Sequence, residues 1–453
     1  MSDSESDDWL FVFSDLDRCE PSEAYTNGGF CPIKLGDMLG PGDRYRIVFK
    51  LGFGNYSTVW LARDCVLSNR IVALKVIEAD QTRTGQRREL DILKRLAVPD
   101  SILSKEPRAI QLLDSFETTS ANGVHQVLVT ELVVPLYAQD RSELSPFRPR
   151  VTKDVLRQIV GALASIHSRG IAHGDLHPTN FGIAVPKRDG YSDIAIWEQT
   201  CAMKLHPLVP TSPDLDPNTF PPYLCCPMDM GLFLHSDSPK TPPPPLSVRI
   251  LDFDSAYVVD GSHAPQCETL LFYAAPEVAF PRIALQKDDA PWDQRSDIWS
   301  LAVAFHDLVG AQGIYGSLSD PKSLPHLMAA LCGEVPDDWR EYIVSHAFPP
   351  NWTPAHTAEL WKQMEADFAA AGADDPPGLV RLMRRMMVLD PAKRPTAAEL
   401  LNDPYFVGTK TERLRESNVL PCAAPEHEAQ DQQSNRASRS LPSSASVSSV
   451  TCR

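Results

Sequence analysis

Asp175 and Asn180 stand five positions apart in the run His173-Gly174-Asp175-Leu176-His177-Pro178-Thr179-Asn180. The run reads as a tight, Pro-containing turn. A carboxylate that can take a hydroxyl proton, close to an amide oxygen that can hold a metal ion, is the pairing that phosphoryl transfer from ATP uses. Asp175 is therefore the candidate base. A second carboxylate, Asp252 in Leu251-Asp252-Phe253-Asp254, follows an apolar stretch and would share Mg²⁺ with Asn180.

The phosphate side of such a reaction needs a cation and close backbone approach. Lys75 lies in Val72-Ala73-Leu74-Lys75, where a mostly buried strand makes an unpaired lysine costly. Glu89, on the helix expected over 84–97, is its natural partner, and together they would grip the α- and β-phosphates. Leu51-Gly52-Phe53-Gly54-Asn55-Tyr56-Ser57-Thr58-Val59 is a Gly-containing turn between two strands, loose enough for backbone amides to cover phosphates. Taken alone, a plain hairpin turn with two glycines is the better reading. Ala275-Pro276-Glu277, Asp297-Ile298-Trp299-Ser300 and Asp390-Pro391-Ala392-Lys393-Arg394-Pro395 follow in order, with Glu277 and Arg394 expected as a buried ion pair.

The elements that must position these groups follow from pattern. Residues 45–51, 57–62, 70–77 and 125–132 read as strands. After Pro135 the chain turns mostly helical: Val155, Ile159, Leu163 and Ile166 recur at helical spacing, and 297–309 and 379–389 read as apolar helices. Residues 186–247, rich in Pro, Ser and Asp, read as an irregular insert and a solvated linker rather than a docking element. Residues 1–43 read as an acidic N-terminal extension with one aromatic cluster, Trp9 to Phe13, and 408–453 as a Ser-rich tail whose composition predicts disorder.

Composition bounds the rest. The 453 residues are 43% hydrophobic and 23% charged, enough for a large two-lobed core. No apolar run approaches the ~18 residues of a membrane span, and the acidic N-terminus lacks the features of a signal peptide. The net charge of −16 argues against direct nucleic-acid binding and fits a basic protein partner. Ten scattered cysteines without a C-x-x-C pair point to a reduced intracellular protein, with a metal or disulfide role as the alternative.

Over residues 44–407 this constellation resembles the eukaryotic protein kinase family, and within it the SR-protein kinases, which phosphorylate serines in Arg/Ser-rich proteins. Pro32-Ile33-Lys34-Leu35-Gly36-Asp37, Tyr45-Arg46-Ile47 and Leu51 to Ala62, with Ser57 in place of a third glycine, carry that likeness, as does the long interval between Asn180 and Asp252. The resemblance implies an α+β bilobal fold, with a small antiparallel-sheet N-lobe over 44–134 and a larger helical C-lobe over 135–407. It implies a Ser/Thr kinase with ATP and Mg²⁺ as cofactors, monomeric, acting on protein in the cytoplasm and the nucleus. It places nucleotide contacts at Leu51, Gly52, Phe53, Gly54, Val59, Ala73, Lys75, Glu89, Glu131, Val133, Asn180 and Asp252. Thr130 becomes the gatekeeper, Glu131-Leu132-Val133 the hinge, and Leu93, His173 and Phe253 part of a hydrophobic spine.

Three positions depart from the family pattern. Gly174 replaces the arginine that pairs with a phosphorylated activation loop, so activity is expected not to depend on phosphate at Ser255, Ser262 or Thr269. His177, counted with Asp175 and Lys75 as catalytic, replaces a lysine that touches the transferring phosphate. The same His-Gly-Asp-Leu-His-Pro run looks like the catalytic loop of aminoglycoside-type phosphotransferases. Asp254 replaces the glycine of Asp-Phe-Gly. These departures keep two other readings open: a pseudokinase scaffold, and a small-molecule phosphotransferase.

Overall fold

The computed structural model describes residue 11 and residues 18–80, 88–98, 109–137, 151–185, 192–199, 204–228, 246–261, 264–310, 314–315, 318, 320–346 and 354–407. The expected tail, Ser262 and most of the N-terminal aromatic cluster lie outside these residues.

The first lobe is built on strands β1 (Tyr45–Phe53), β2 (Ser57–Asp64) and β3 (Arg70–Ile77), helix α1 (Arg88–Ala97), and strands β4 (Leu112–Ser120) and β5 (Gly123–Thr130). The strands form an antiparallel sheet in the order β1-β2-β3-β5-β4, with a two-residue strand, Met38–Leu39, on the outer edge of β1. Its middle strands read as near-continuous apolar runs because both faces are covered. One face carries Leu61, Ala73 and Leu128 against α1 residues Leu90 and Leu93. The other buries Ile47, Trp60, Val72, Leu74 and Val127 under Cys31 and Ile33 of the N-terminal extension.

Strand β6 (Val133–Pro135) leads out of that sheet toward the second lobe. Helix α2 (Lys153–His167) starts at Thr152, whose hydroxyl accepts from the Val155 amide at 3.4 Å, and it buries the expected Val155, Ile159, Leu163 and Ile166. Strands β7 (Phe181–Ala184) and β10 (Val248–Ile250) join β6 in the order β10-β7-β6. Between them the chain forms helix α3 (Asp193–Gln199) and a small hairpin of β8 (Leu205–Pro207) and β9 (Tyr223–Cys225). Helices α4 (Pro276–Phe280), α5 (Gln294–Leu308), α6 (Leu324–Cys332), α7 (Pro354–Ala370) and α8 (Pro376–Met386), with short helices at Arg340–Ser345 and Ala397–Leu400, build the rest of the lobe. Helix α5 begins at a capping box of Asp293 and Ser296 and is buried on nearly every side, which makes it the axis of this lobe.

The insert departs from its solvated-linker reading. Among the described residues, Leu208, Phe220 and Leu224 pack with Phe11, Cys19, Tyr25 and Phe30 of the N-terminal extension in a separate small core. Asp193 of α3 pairs with Arg46 of β1 at 2.7 Å and Arg63 of β2 at 3.0 Å. The Asn122 amide donates to the carbonyls of both Phe30 and Thr219 at 2.7 Å. Short apolar clusters spaced between the prolines carry this packing, and composition averages them away.

Candidate active site

Lys75 reaches the cleft from the middle of β3. Its ammonium lies 2.8 Å from Glu89 of α1, 2.8 Å from Asp252 and 3.1 Å from Asp254. Glu89 is buried, and its second oxygen accepts from the Phe253 amide at 3.3 Å, so one carboxylate ties α1 to β3 at one end and to the segment after β10 at the other. Desolvation opposes the charge on Lys75, but Asp252, Asp254 and Glu89 together raise its pKa well above the ordinary value. At Asp252 burial pushes the pKa up, and the lysine more than offsets it, leaving the carboxyl at about 2. Asp254 goes the other way. Its side chain keeps 43% of its surface exposed, and protein desolvates the rest. That desolvation and the Glu89 carboxylate then raise its pKa well above the carboxylate range. Three carboxyls thus surround one ammonium.

Asp252 has a left-handed backbone, φ +59°. That conformation is uncommon outside glycine and costs on the order of 1 kcal/mol. It turns the carboxylate off the end of β10 toward Lys75 while Phe253 drops into the core, 0% exposed and tilted against the His173 ring at 5.0 Å.

The turn from 173 to 180 is held from below. Asp297, in the first turn of α5 and 1% exposed, accepts from the amides of His173 (2.8 Å) and Gly174 (2.9 Å) and from His167 Nε2 (2.9 Å). His173 Nε2 meets the Leu251 carbonyl at 3.0 Å, and the Leu251 amide donates to the Asn180 carbonyl at 2.9 Å, so this turn and the Asp252 segment are stitched together. The Asn180 amide donates to the Asp175 carbonyl at 2.8 Å and lies 3.5 Å from Asp175 Oδ2. His177 Nε2 is 3.0 Å from the same amide nitrogen and 3.3 Å from Asp175 Oδ2. Asp175 Oδ1 is buried and, among the described residues, has no hydrogen-bond partner. A buried acceptor left open in this way is costly.

The other expected contacts divide. Gly52 pairs with Val59 across β1 and β2, and the turn closes through the Gly54 amide on the Ser57 carbonyl at 2.8 Å. A Cβ at Gly52 would meet nothing within 4 Å, so the turn faces open space. Leu51 and Val59 are half-buried, Phe53 and Gly54 exposed, and Ala73 is buried on β3. At Glu131 the side chain is taken up elsewhere: it pairs with Arg249 at 2.7 Å and accepts from the Gln111 amide at 3.0 Å, leaving backbone as its means of contacting a ligand. Val133 sits at the start of β6 opposite Ala184.

Asp297, Trp292 and Thr269 were not singled out as site residues in the sequence. The Trp292 ring lies against Gly174, and the Thr269 hydroxyl, 4% exposed, donates to the Gly174 carbonyl. The expected Glu277–Arg394 pair is present at 2.7 Å through both oxygens, with Arg394 1% exposed and facing the Trp299 ring.

The protein kinase domain family matches residues 45–189 and 234–406, more than half of the chain. The chain belongs to the protein kinase domain family. A crystal structure of a kinase domain aligns over 83% of this chain and 98% of its own length with a TM-score of 0.52, at 17% identity, which shows the bilobal kinase fold. This kinase domain is 32% identical to mouse (Mus musculus) SRSF protein kinase 3 over 199 residues, 42% of this chain and 34% of that protein. Over 185 residues it is 32% identical to the serine/threonine-protein kinase spk-1 of Caenorhabditis elegans, covering 39% of this chain and 18% of the relative. The chain thus spans about a third or less of those relatives' length. A serine/threonine protein kinase of Aspergillus fumigatus is 26% identical over 407 residues, 86% of this chain and 90% of the relative. The gap in the family match falls in the insert, where the chain instead meets its own N-terminal extension.

Proposed function

We propose that this protein is an active Ser/Thr protein kinase that transfers the γ-phosphate of ATP to serine in basic, Arg/Ser-rich proteins. The observation that carries the reading is the pairing of Lys75 with both Glu89 and Asp252 beside a buried, unpartnered oxygen on Asp175. In the reaction, Asp175 takes the proton of the attacking serine hydroxyl as its oxygen bonds to the γ-phosphorus. The bond to the β–γ bridging oxygen breaks and ADP leaves. Lys75 holds the α- and β-phosphates, with Glu89 keeping its side chain extended. His177 orients the base: its Nε2 lies 3.3 Å from Asp175 Oδ2 and its Nδ1 2.7 Å from the Thr179 hydroxyl.

The residues present fit a magnesium ion. The donors are hard oxygens, and the carboxyls around Lys75 exceed the positive charge available. Asn180 and Asp252 would hold it, and when bound it neutralises charge on the phosphates.

The basic substrate class rests on the net charge of −16 and on the likeness to proteins named SRSF protein kinase. The test supplies purified protein, Mg²⁺ and labelled ATP with an Arg/Ser peptide, a generic basic protein or an aminoglycoside. Label on the Arg/Ser peptide in preference to the generic protein, lost in Asp252→Asn, is the expected result. ATP binding without transfer to any acceptor would leave a pseudokinase, and transfer to the aminoglycoside alone a small-molecule enzyme.

A further inference from the structure

The small core shared by the N-terminal extension and the insert contains a second cluster of polar donors. Cys19 Sγ and Cys226 Sγ lie 3.2 Å apart, and a ring nitrogen of His206 comes within 4.8 Å of both. Cys19 is buried; His206 and Cys226 are half-buried. We propose that Cys19, His206 and Cys226 bind a zinc ion that fastens the N-terminal extension to the insert.

Donor chemistry supports zinc. Two sulfurs and one imidazole suit this ion, with solvent in the fourth position. Sulfurs each about 2.3 Å from a tetrahedral zinc stand about 3.8 Å apart, so the pair need open only slightly. A disulfide would use the two sulfurs but gives no reason for an imidazole to meet them.

The surrounding structure needs a fastening. Strands β8 and β9 have three residues each, and a two-stranded hairpin that small is not stable alone. The local core is a handful of side chains drawn from three separate stretches of chain. Small cores of this kind are commonly completed by a metal. His206 is on β8, Cys226 follows β9, and Cys19 comes from the extension, so one ion would hold all three stretches. Beyond Cys226, the Met228 amide donates to the Lys50 carbonyl at 3.0 Å. The site therefore ends on β1, next to Leu51 and the Gly-containing turn.

The test is metal analysis of the full-length protein, purified under reducing conditions without chelator. We expect close to one zinc per chain. His206→Ala, Cys19→Ser and Cys226→Ser should each lose most of it, while Cys65→Ser, at an exposed cysteine, keeps it. Because a serine variant could fail to fold, wild-type protein stripped of metal and reloaded with Co²⁺ is the second measurement. A thiolate-to-cobalt charge-transfer band, and a melting temperature lowered by chelator and restored by zinc, support the site. Metal-free protein that gives no such band on Co²⁺ addition would overturn it, as would a Cys19–Cys226 disulfide in the isolated chain by peptide mass mapping.

Discussion

At Gly174 there is no room for a side chain. The backbone is left-handed, φ +77°, and a Cβ would come within 2.2 Å of the Trp292 ring. In kinases with arginine at this position a loop phosphate is the usual partner. Here Thr269 is instead buried against the Gly174 carbonyl, and Ser255 is only 4% exposed. Packing thus does locally what a phosphate–arginine pair would otherwise do. Phosphatase treatment is expected to leave the transfer rate unchanged, and Thr269→Glu to lower it by forcing a larger side chain into the buried space against the Gly174 carbonyl. A phosphatase-sensitive rate, restored by an acidic residue at Ser255, Ser262 or Thr269, would contradict this. Gly174→Ala should cost about 2–3 kcal/mol of stability, measured by denaturant unfolding, since both the backbone and the indole oppose it.

At the scale of elements, the Arg394–Glu277 pair joins the stretch after α8 to α4. Removing one partner leaves a buried charge uncompensated, so Arg394→Ala is expected to cost about 3–5 kcal/mol in the same measurement. Elements were legible where one local pattern decided them. Strand β3 falls on the residues read for it because an apolar run set between polar neighbours has one way to bury itself. Helix α5 begins three residues earlier than its apolar run suggested, because its start is set by polar capping at Asp293 and Ser296. Lys75, Glu89, Asp175, Asn180 and Asp252 could be named from motif spacing. Asp297 could not be assigned its part, since its partners are backbone amides more than a hundred positions earlier in the chain. The packing of the insert was hidden for the same reason: its contacts are with the far N-terminus.

Across the whole molecule, charge pairs join pieces of the first lobe to one another and to the insert, and they make its stability depend on pH. Hydrogen bonds from Arg44 hold the Asp64 carboxyl below its ordinary value. At Asp193 burial pushes upward, and hydrogen bonds from Arg46 and Arg63 more than offset it. A carboxyl depressed in the folded state stabilises the fold above its unfolded pKa of about 3.9, and that contribution is lost as pH falls toward the folded value. Melting temperature should therefore drop as pH is lowered through that range, and Asp193→Asn should make the drop shallower. A slope identical in the variant would place the acid-sensitive contacts elsewhere.

The convergence of two lobes on one phosphate-transfer centre is tested most directly by Asp175→Asn, comparing ATP affinity with transfer rate at saturating ATP. The account predicts unchanged affinity and a rate lower by roughly 10²–10⁴-fold, the usual contribution of a positioned base. A variant that transfers phosphate as fast as the wild type would contradict it.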